Sequence, residues 1–171
     1  TCGNKTNYPS IQNAINAAVP YDTIEVQPGH YKQGNLLITK PISMFAKGLV
    51  ILDGDFKCEI ITIKSNHVLI RGFSIKNSSN LSSIDIAGIK VLACKDVTIE
   101  NNNVEKCSFG IYLSNTNHCK VKNNLISGNV LAETNIGNGI HCWKADSNSI
   151  ENNEVTNHRD GIYFEFVTNS K

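Results

Sequence analysis

The residues best equipped for chemistry crowd the C-terminal third of the 171-residue chain. His141 and Trp143 are followed 22 residues later by Tyr163 and Glu165, with His158-Arg159-Asp160 just before the second pair. Imidazole and cysteine thiolate are ligands suited to copper, and Cys107 and His118-Cys119 extend the supply. None of these falls in a compact ligand motif, so the metal expectation narrows to His141 and His158. The others read as a contact patch of Tyr112, Trp143, Arg159, Asp160, Tyr163 and Glu165, because gathered surface aromatics mark places where ligands or partners dock. Arg159 and Asp160 also suit a plain surface ion pair that fastens a turn. Acid–base cleavage of a glycan needs two carboxylates on one face. Asp53, Asp55, Asp85, Asp96, Asp146 and Asp160 instead fall at unrelated positions of the repeat that organises the chain. There is no Ser-His-Asp set and no phosphate-binding glycine loop, so no nucleotide is expected.

That repeat is what must position the candidates. Units start at Gly88, Gly110, Gly139 and Gly161, spaced 22, 29 and 22 residues apart. The seven extra residues of the middle spacing fall in a loop near 127–138. A step of 29 back from Gly88 reaches Glu59, which opens an earlier unit. One position after each start stand Ile60, Ile89, Ile111, Ile140 and Ile162, and three after stand Thr62, Val91, Leu113, Cys142 and Phe164. Further columns hold Ile70, Ile99, Val121 and Ile150, then Ile75, Val104, Ile126 and Val155. The runs alternate and are short, so they predict strands with every second side chain inward. One such unit cannot bury its apolar face alone, whereas a stack of units can. The expected fold is therefore all-β: a right-handed, single-stranded parallel β-helix with coils of about 22 residues stacked over 23–171.

Inward columns imply outward ones. Tyr112, His141 and Tyr163 should stack on one outer face, with Trp143 and Glu165 beside them. Asn101, Asn123 and Asn152, each followed by Asn102, Asn124 and Asn153, should mark a tight bend. They are also expected to form a side-chain ladder from coil to coil.

The ends differ. Residues 8–19 predict a short capping helix behind Ser10, with Ile11, Ala14, Ile15, Ala18 and Val19 on one face. It would cover the open first coil, and Pro20 would stop it. The chain stops ten residues after Gly161, in mid-coil. Residues 1–171 therefore read as a single β-helix domain, the N-terminal part of a longer solenoid. Self-association through the open last coil is the other way to cover that end. The formal net charge of +1 offers no basic excess for nucleic acid, and no apolar run spans a bilayer. No leader opens the chain, which implies a cytosolic protein or a removed signal. The spacing of Cys2, Cys58, Cys94, Cys107, Cys119 and Cys142 fixes no disulfide pairing, and free thiols are the main expectation, with Cys142 in the core.

GNGIHCWKADSNSIENNEVTNHRDGIYFEFV, residues 137–167, resembles the segment typical of the NosD family, and YPSIQNAINAAVPYDTIEVQPGHY fits the same family's N-terminus. The resemblance covers nearly the whole chain, at His141, Trp143, His158, Arg159, Asp160, Gly161, Tyr163 and Glu165, while Cys142 replaces the usual aliphatic residue. It implies a periplasmic accessory protein, not an enzyme, that handles copper transiently while nitrous oxide reductase is assembled. The partners it implies are the membrane and ATPase subunits of an ABC transporter, a copper chaperone lipoprotein and the reductase. The alternative is a polysaccharide lyase or hydrolase, or a carbohydrate-binding module with Tyr112, Trp143 and Tyr163 as stacking platforms.

Overall fold

A computed structural model describes residues 7–80, 85–128 and 137–171. The described residues wind through eighteen short strands, numbered in chain order, each paired in parallel with the strand three places on. The first sheet holds β1 (Thr23–Val26), β4 (Ser43–Ala46), β7 (Leu69–Arg71), β10 (Thr98–Glu100), β13 (Lys120–Lys122) and β16 (Ser149–Glu151). The second holds β2 (Gly29–Tyr31), β5 (Val50–Asp53), β8 (Ser74–Lys76), β11 (Asn103–Glu105), β14 (Leu125–Ser127) and β17 (Glu154–Thr156). The third holds β3 (Leu36–Ile38), β6 (Ile61–Ile63), β9 (Ala87–Leu92), β12 (Phe109–Ser114), β15 (Ile140–Trp143) and β18 (Ile162–Glu165). Three open parallel sheets traced in turn by each coil make a right-handed parallel β-helix.

The apolar columns run as the periodicity requires in the later coils. Ile89, Ile111, Ile140 and Ile162 are in register on the third sheet. Ile70, Ile99 and Val121 are stacked on the first and fully buried. The earliest unit slips by one residue on the third sheet. Ile61, not Ile60, pairs with Ile89, and Ile63 pairs with Val91. Alternation decides this: Ile61 and Ile63 both go inward, and Thr62 takes the outward place beside Lys90.

Each corner is a column of left-handed residues. Ala93, Asn115, Lys144 and Phe166 have φ of 48 to 54°, and His67, Asp96, His118, Ser147 and Asn169 have φ of 49 to 57°. Asn101, Asn123 and Asn152 form another, at 54 to 56°, below Gly72. These three asparagines are exposed and supply backbone shape alone. The ladder belongs to their successors. Asn124 Oδ1 accepts from the Asn102 N–H at 3.0 Å and from Asn102 Nδ2 at 3.1 Å. Asn124 Nδ2 donates to the Ile99 carbonyl at 3.0 Å and to Asn153 Oδ1 at 2.9 Å. The expected six-residue ladder thus divides into three bend residues and three rungs.

The cap is a two-turn helix, α1 (Ile11–Ala17), shorter than the 8–19 span. Ser10 accepts from the Asn13 N–H, and Ile11, Ala14 and Ile15 face the core. Ala18 is already extended, and Val19 is 60% exposed rather than on the buried face, because the residue before Pro20 is disfavoured in the helical region. Lys40 Nζ donates to the carbonyls of Asn16 at 2.6 Å and Ala18 at 2.7 Å, which satisfies the end. Most of the insertion near 127–138 lies at 129–136, outside the described residues, as does Cys2.

The two asparagine columns should respond differently to substitution. Asn124→Ala leaves the buried Asn102 N–H without its acceptor and removes the bonds to Asn153 and to the Ile99 carbonyl, and should cost about 2–4 kcal/mol. Asn123→Ala loses only left-handed tolerance, about 1 kcal/mol, and Asn123→Gly should cost less still. Urea unfolding of the three variants would check the order.

Candidate functional site

The outer face of the third sheet carries a column that runs Leu37, Thr62, Lys90, Tyr112, His141 and Tyr163 in register. Beside it run Leu92, Ser114, Trp143 and Glu165. The stacking expected of Tyr112, His141 and Tyr163 is therefore present, with ring centroids 4.9 Å and 5.1 Å apart. Phe109 closes on both of the lower rings, 5.5 Å from Tyr112 and 5.6 Å from His141.

Alternation alone would send Phe109 inward, because it sits two residues before Ile111. It turns outward because Gly110 takes an inward place as well. A Cβ there would meet Ile126 Cγ2 at 2.4 Å and the Gly139 carbonyl oxygen at 2.5 Å. Only glycine permits that approach of two sheets. The Phe109 ring is in turn covered by Gly137, where a Cβ would meet Phe109 Cδ2 at 2.6 Å.

These walls enclose an open groove of about 550 Å³ lined by Asp85, Phe109, Tyr112, His141, Trp143, Arg159 and Glu165. Asp85, Phe109 and the neighbouring Asn138 were not among the sequence candidates. Asp85 stands three residues before its unit's start and Glu165 four after, so no shared column announces that both line one groove. Burial, together with the nearby Asp85 carboxylate, pushes the Tyr112 pKa up to about 12. The Lys90 ammonium lies 5.7 Å from the Tyr112 ring centre and pairs with Glu59 at 2.6 Å. Lys144 covers a face of Trp143 at 4.3 Å.

Outward does not mean exposed. Tyr112 and His141 are each only 7% accessible, because neighbouring rings cover them. The surface patch expected at these residues is a recessed one, with Tyr163 at 39% as its accessible rim. Arg159 and Asp160 form the expected ion pair, 3.2 Å apart and largely in solvent.

His141 is held on both ring edges. Its Nδ1 meets Asn138 Nδ2 at 3.2 Å, and its Nε2 lies 3.6 Å from Glu165 Oε2. Burial pulls its pKa below the usual value, against the pull of Glu165 and Asp85. His158 does not join it. It turns in toward Gly139 and Gly128 and meets the Gly137 carbonyl through Nδ1 at 3.3 Å. Its Nε2 is buried with no hydrogen-bond partner. Among the described residues, no group of three His, Cys, Asp or Glu side chains converges as a metal cluster.

The thiols are also withdrawn. Cys94, Cys107, Cys119 and Cys142 are buried and free, and Cys58 is half-buried and free. Burial pushes Cys119 up to about 11 and Cys107 and Cys142 to about 12. At neutral pH they are packed as small apolar groups, and Cys142 lies in the core as its column requires.

Burial holds the His158 pKa below its usual value. The unfolded chain therefore takes up a proton at His158 before the folded one does. Stability is fully present above the unfolded pKa and falls as the pH drops through it, near 6.5. Melting temperature should decline between pH 7.5 and 5.5, and His158→Gln should flatten that decline.

Comparison with known proteins places this groove in context. Residues 15–171 match the family model described as periplasmic copper-binding protein (NosD). A probable ABC transporter binding protein NosD of Pseudomonas aeruginosa is 28% identical over 130 residues, 75% of this chain and 30% of that protein. The protein of the same name from Stutzerimonas stutzeri is 27% identical over 135 residues, 78% of this chain and 31% of its own length. The chain thus spans about a third of these relatives. Among solved structures, an alginate lyase of Paenibacillus sp. superposes with a TM-score of 0.65 at 18% identity, covering 93% of this chain and 62% of that one. A pectin methylesterase superposes with a TM-score of 0.60 at 13% identity, covering 84% and 51%. Those two likenesses speak for the fold, whereas the match over residues 15–171 makes this chain a member of the NosD family.

Proposed function

We propose that this chain is part of an accessory protein that handles copper during assembly of nitrous oxide reductase, acting in the periplasm as a binding scaffold. In this reading its partners are the membrane and ATPase subunits of an ABC transporter, a copper chaperone lipoprotein and the reductase itself. The name shared by the two bacterial relatives, ABC transporter binding protein, supports that setting. The observation that carries the reading is the recessed column of Tyr112, His141 and Tyr163, flanked by Trp143 and Glu165, on the outer face of a chain that matches a copper-binding family.

Copper is cargo here, not a resident cofactor. The residue suited to contact it is His141, with Glu165 alongside and the aromatic rim as the surface that meets the carrier protein. Arg159 and Asp160 supply the polar edge of that surface. His158 is the weaker of the two imidazoles, since it packs against Gly128 and Gly139 and does not line the groove, whereas His141 does. The buried thiols do not compete, because a protonated, enclosed sulfur is a poor ligand.

Two carboxylates in the groove, Asp85 and Glu165, favour a second reading in which it receives a glycan. The groups that would abstract a proton are engaged, however. The Tyr112 hydroxyl is held protonated by burial and the Asp85 charge, with a pKa of about 12, and the His141 Nδ1 is engaged by Asn138. That arrangement supports binding rather than cleavage.

Titration of the reduced protein with Cu(I) against a competing chelator separates these readings. Wild-type protein should compete for the metal, and His141→Gln should lose that competition, while His158→Gln should keep it. Equal competition by wild type and His141→Gln would sink the assignment. Incubation with alginate or pectin should release no unsaturated or reducing ends, and release of either would establish the enzymatic alternative.

A further inference from the structure

Asn138 is fully buried between Arg159 and His141. Arg159 Nη2 donates to Asn138 Oδ1 at 3.1 Å. A guanidinium has donors only, so the amide must turn its oxygen toward it. That leaves Asn138 Nδ2 facing His141 Nδ1 at 3.2 Å. An amide NH₂ group can only donate, so Nδ1 must offer its lone pair. A neutral imidazole carries one proton, and here it must sit on Nε2. Nε2 is buried without a hydrogen-bond partner, directed at Glu165 Oε2 3.6 Å away.

We propose that Arg159 and Asn138 are positioning residues that hold His141 as an Nε2–H donor, so that it withholds from the groove the lone pair a metal ion needs. Capture of a metal at Nε2 requires the proton to move to Nδ1. Asn138 must then present Oδ1 to that proton and turn its NH₂ group against the guanidinium, donor to donor. Arg159 opposes that turn, and it is itself braced by Asp160 at 3.2 Å and by its own N–H to the Gly137 carbonyl at 3.3 Å. Glu165 acts both ways: without a metal its carboxylate favours the Nε2–H directed at it, and with a cation at Nε2 it favours the bound charge. His158, whose Nδ1 must donate to the Gly137 carbonyl, is fixed in the opposite tautomer one turn away.

The tautomer claim is independent of copper. The consequence for metal capture rests on the reading of His141 as the copper contact. Two-bond ¹⁵N–¹H NMR of histidine-labelled protein at neutral pH tests the first. Wild-type His141 should show a protonated Nε2. Asn138→Asp should move the proton to Nδ1, because a carboxylate can only accept, and the exposed variant Arg159→Ala should produce a mixture of tautomers even if Asn138→Asp fails to fold. Cu(I) titration then tests the second: the unlocked variants should bind about tenfold more tightly than wild type, and His141→Gln in either background should abolish the gain. A wild-type His141 protonated on Nδ1, or a proton that stays on Nε2 in both variants, would overturn the proposal. A proton that moves with no change in copper affinity leaves the wiring standing and removes His141 as the copper contact.

Discussion

Everything in this structure depends on the parallel hydrogen-bond ladder that fixes each coil on the one before it. A strand of three residues has too few bonds to stand alone, and its apolar face is too small to fold without neighbours. Register is therefore set by repetition: inward residues must lie on inward residues, and corners on corners. The corners bear much of that constraint. Columns of left-handed residues, such as Ala93, Asn115, Lys144 and Phe166, let each coil turn at the same height. Where the corner would strand polar backbone inside, Asn102, Asn124 and Asn153 satisfy it and pass a hydrogen bond to the next coil.

The site follows from the same ladder. Outer-face residues are brought together by register alone, so Tyr112, His141 and Tyr163 meet without any sequence proximity. The groove needs two departures from strict repetition. The glycines at 110 and 139 let the second and third sheets approach, which frees Phe109 to turn outward. Gly137 and Asn138 then run across the ring and bring an amide to the imidazole. A solenoid with perfect alternation would present a flat ridge of rings. This one presents a recess in which an imidazole is shielded, hydrogen-bonded and next to a carboxylate.

Shielding explains how the chain distributes its soft ligands. Four of its thiols are sealed in the core, and His158 faces inward. In the proposed role as a copper handler this matters, because sites that bind too well do not release. His141 is the imidazole left on the outer face of the third sheet in the groove, and its neighbours set which nitrogen it offers.

Much of the fold was legible in the sequence because the repeat states its own period. The spacing of Gly88, Gly110, Gly139 and Gly161 gave the coil length, and the isoleucine columns gave the inward face. Alternation then placed Tyr112, His141, Tyr163, Trp143 and Glu165 on one outer face, where they are. The paired asparagines announced a bend, but not which of each pair shapes the backbone and which carries the bond. Local pattern also put the first unit one residue out of register, since Ile60, Ile61 and Ile63 compete for two inward places and only the neighbouring coil arbitrates. Burial on the outer face was beyond the sequence. Alternation reports a direction, not what lies in that direction, so Tyr112 and His141 looked like surface residues and His158 like a turn residue. The sequence by itself determined the period, the hand of exposure along each strand and the residues that share a column. Tertiary structure alone decided the depth of the groove, the inclusion of Asp85, Phe109 and Asn138, and the proton on His141. Those depend on contacts between residues at unrelated positions of the repeat, and no periodicity connects them.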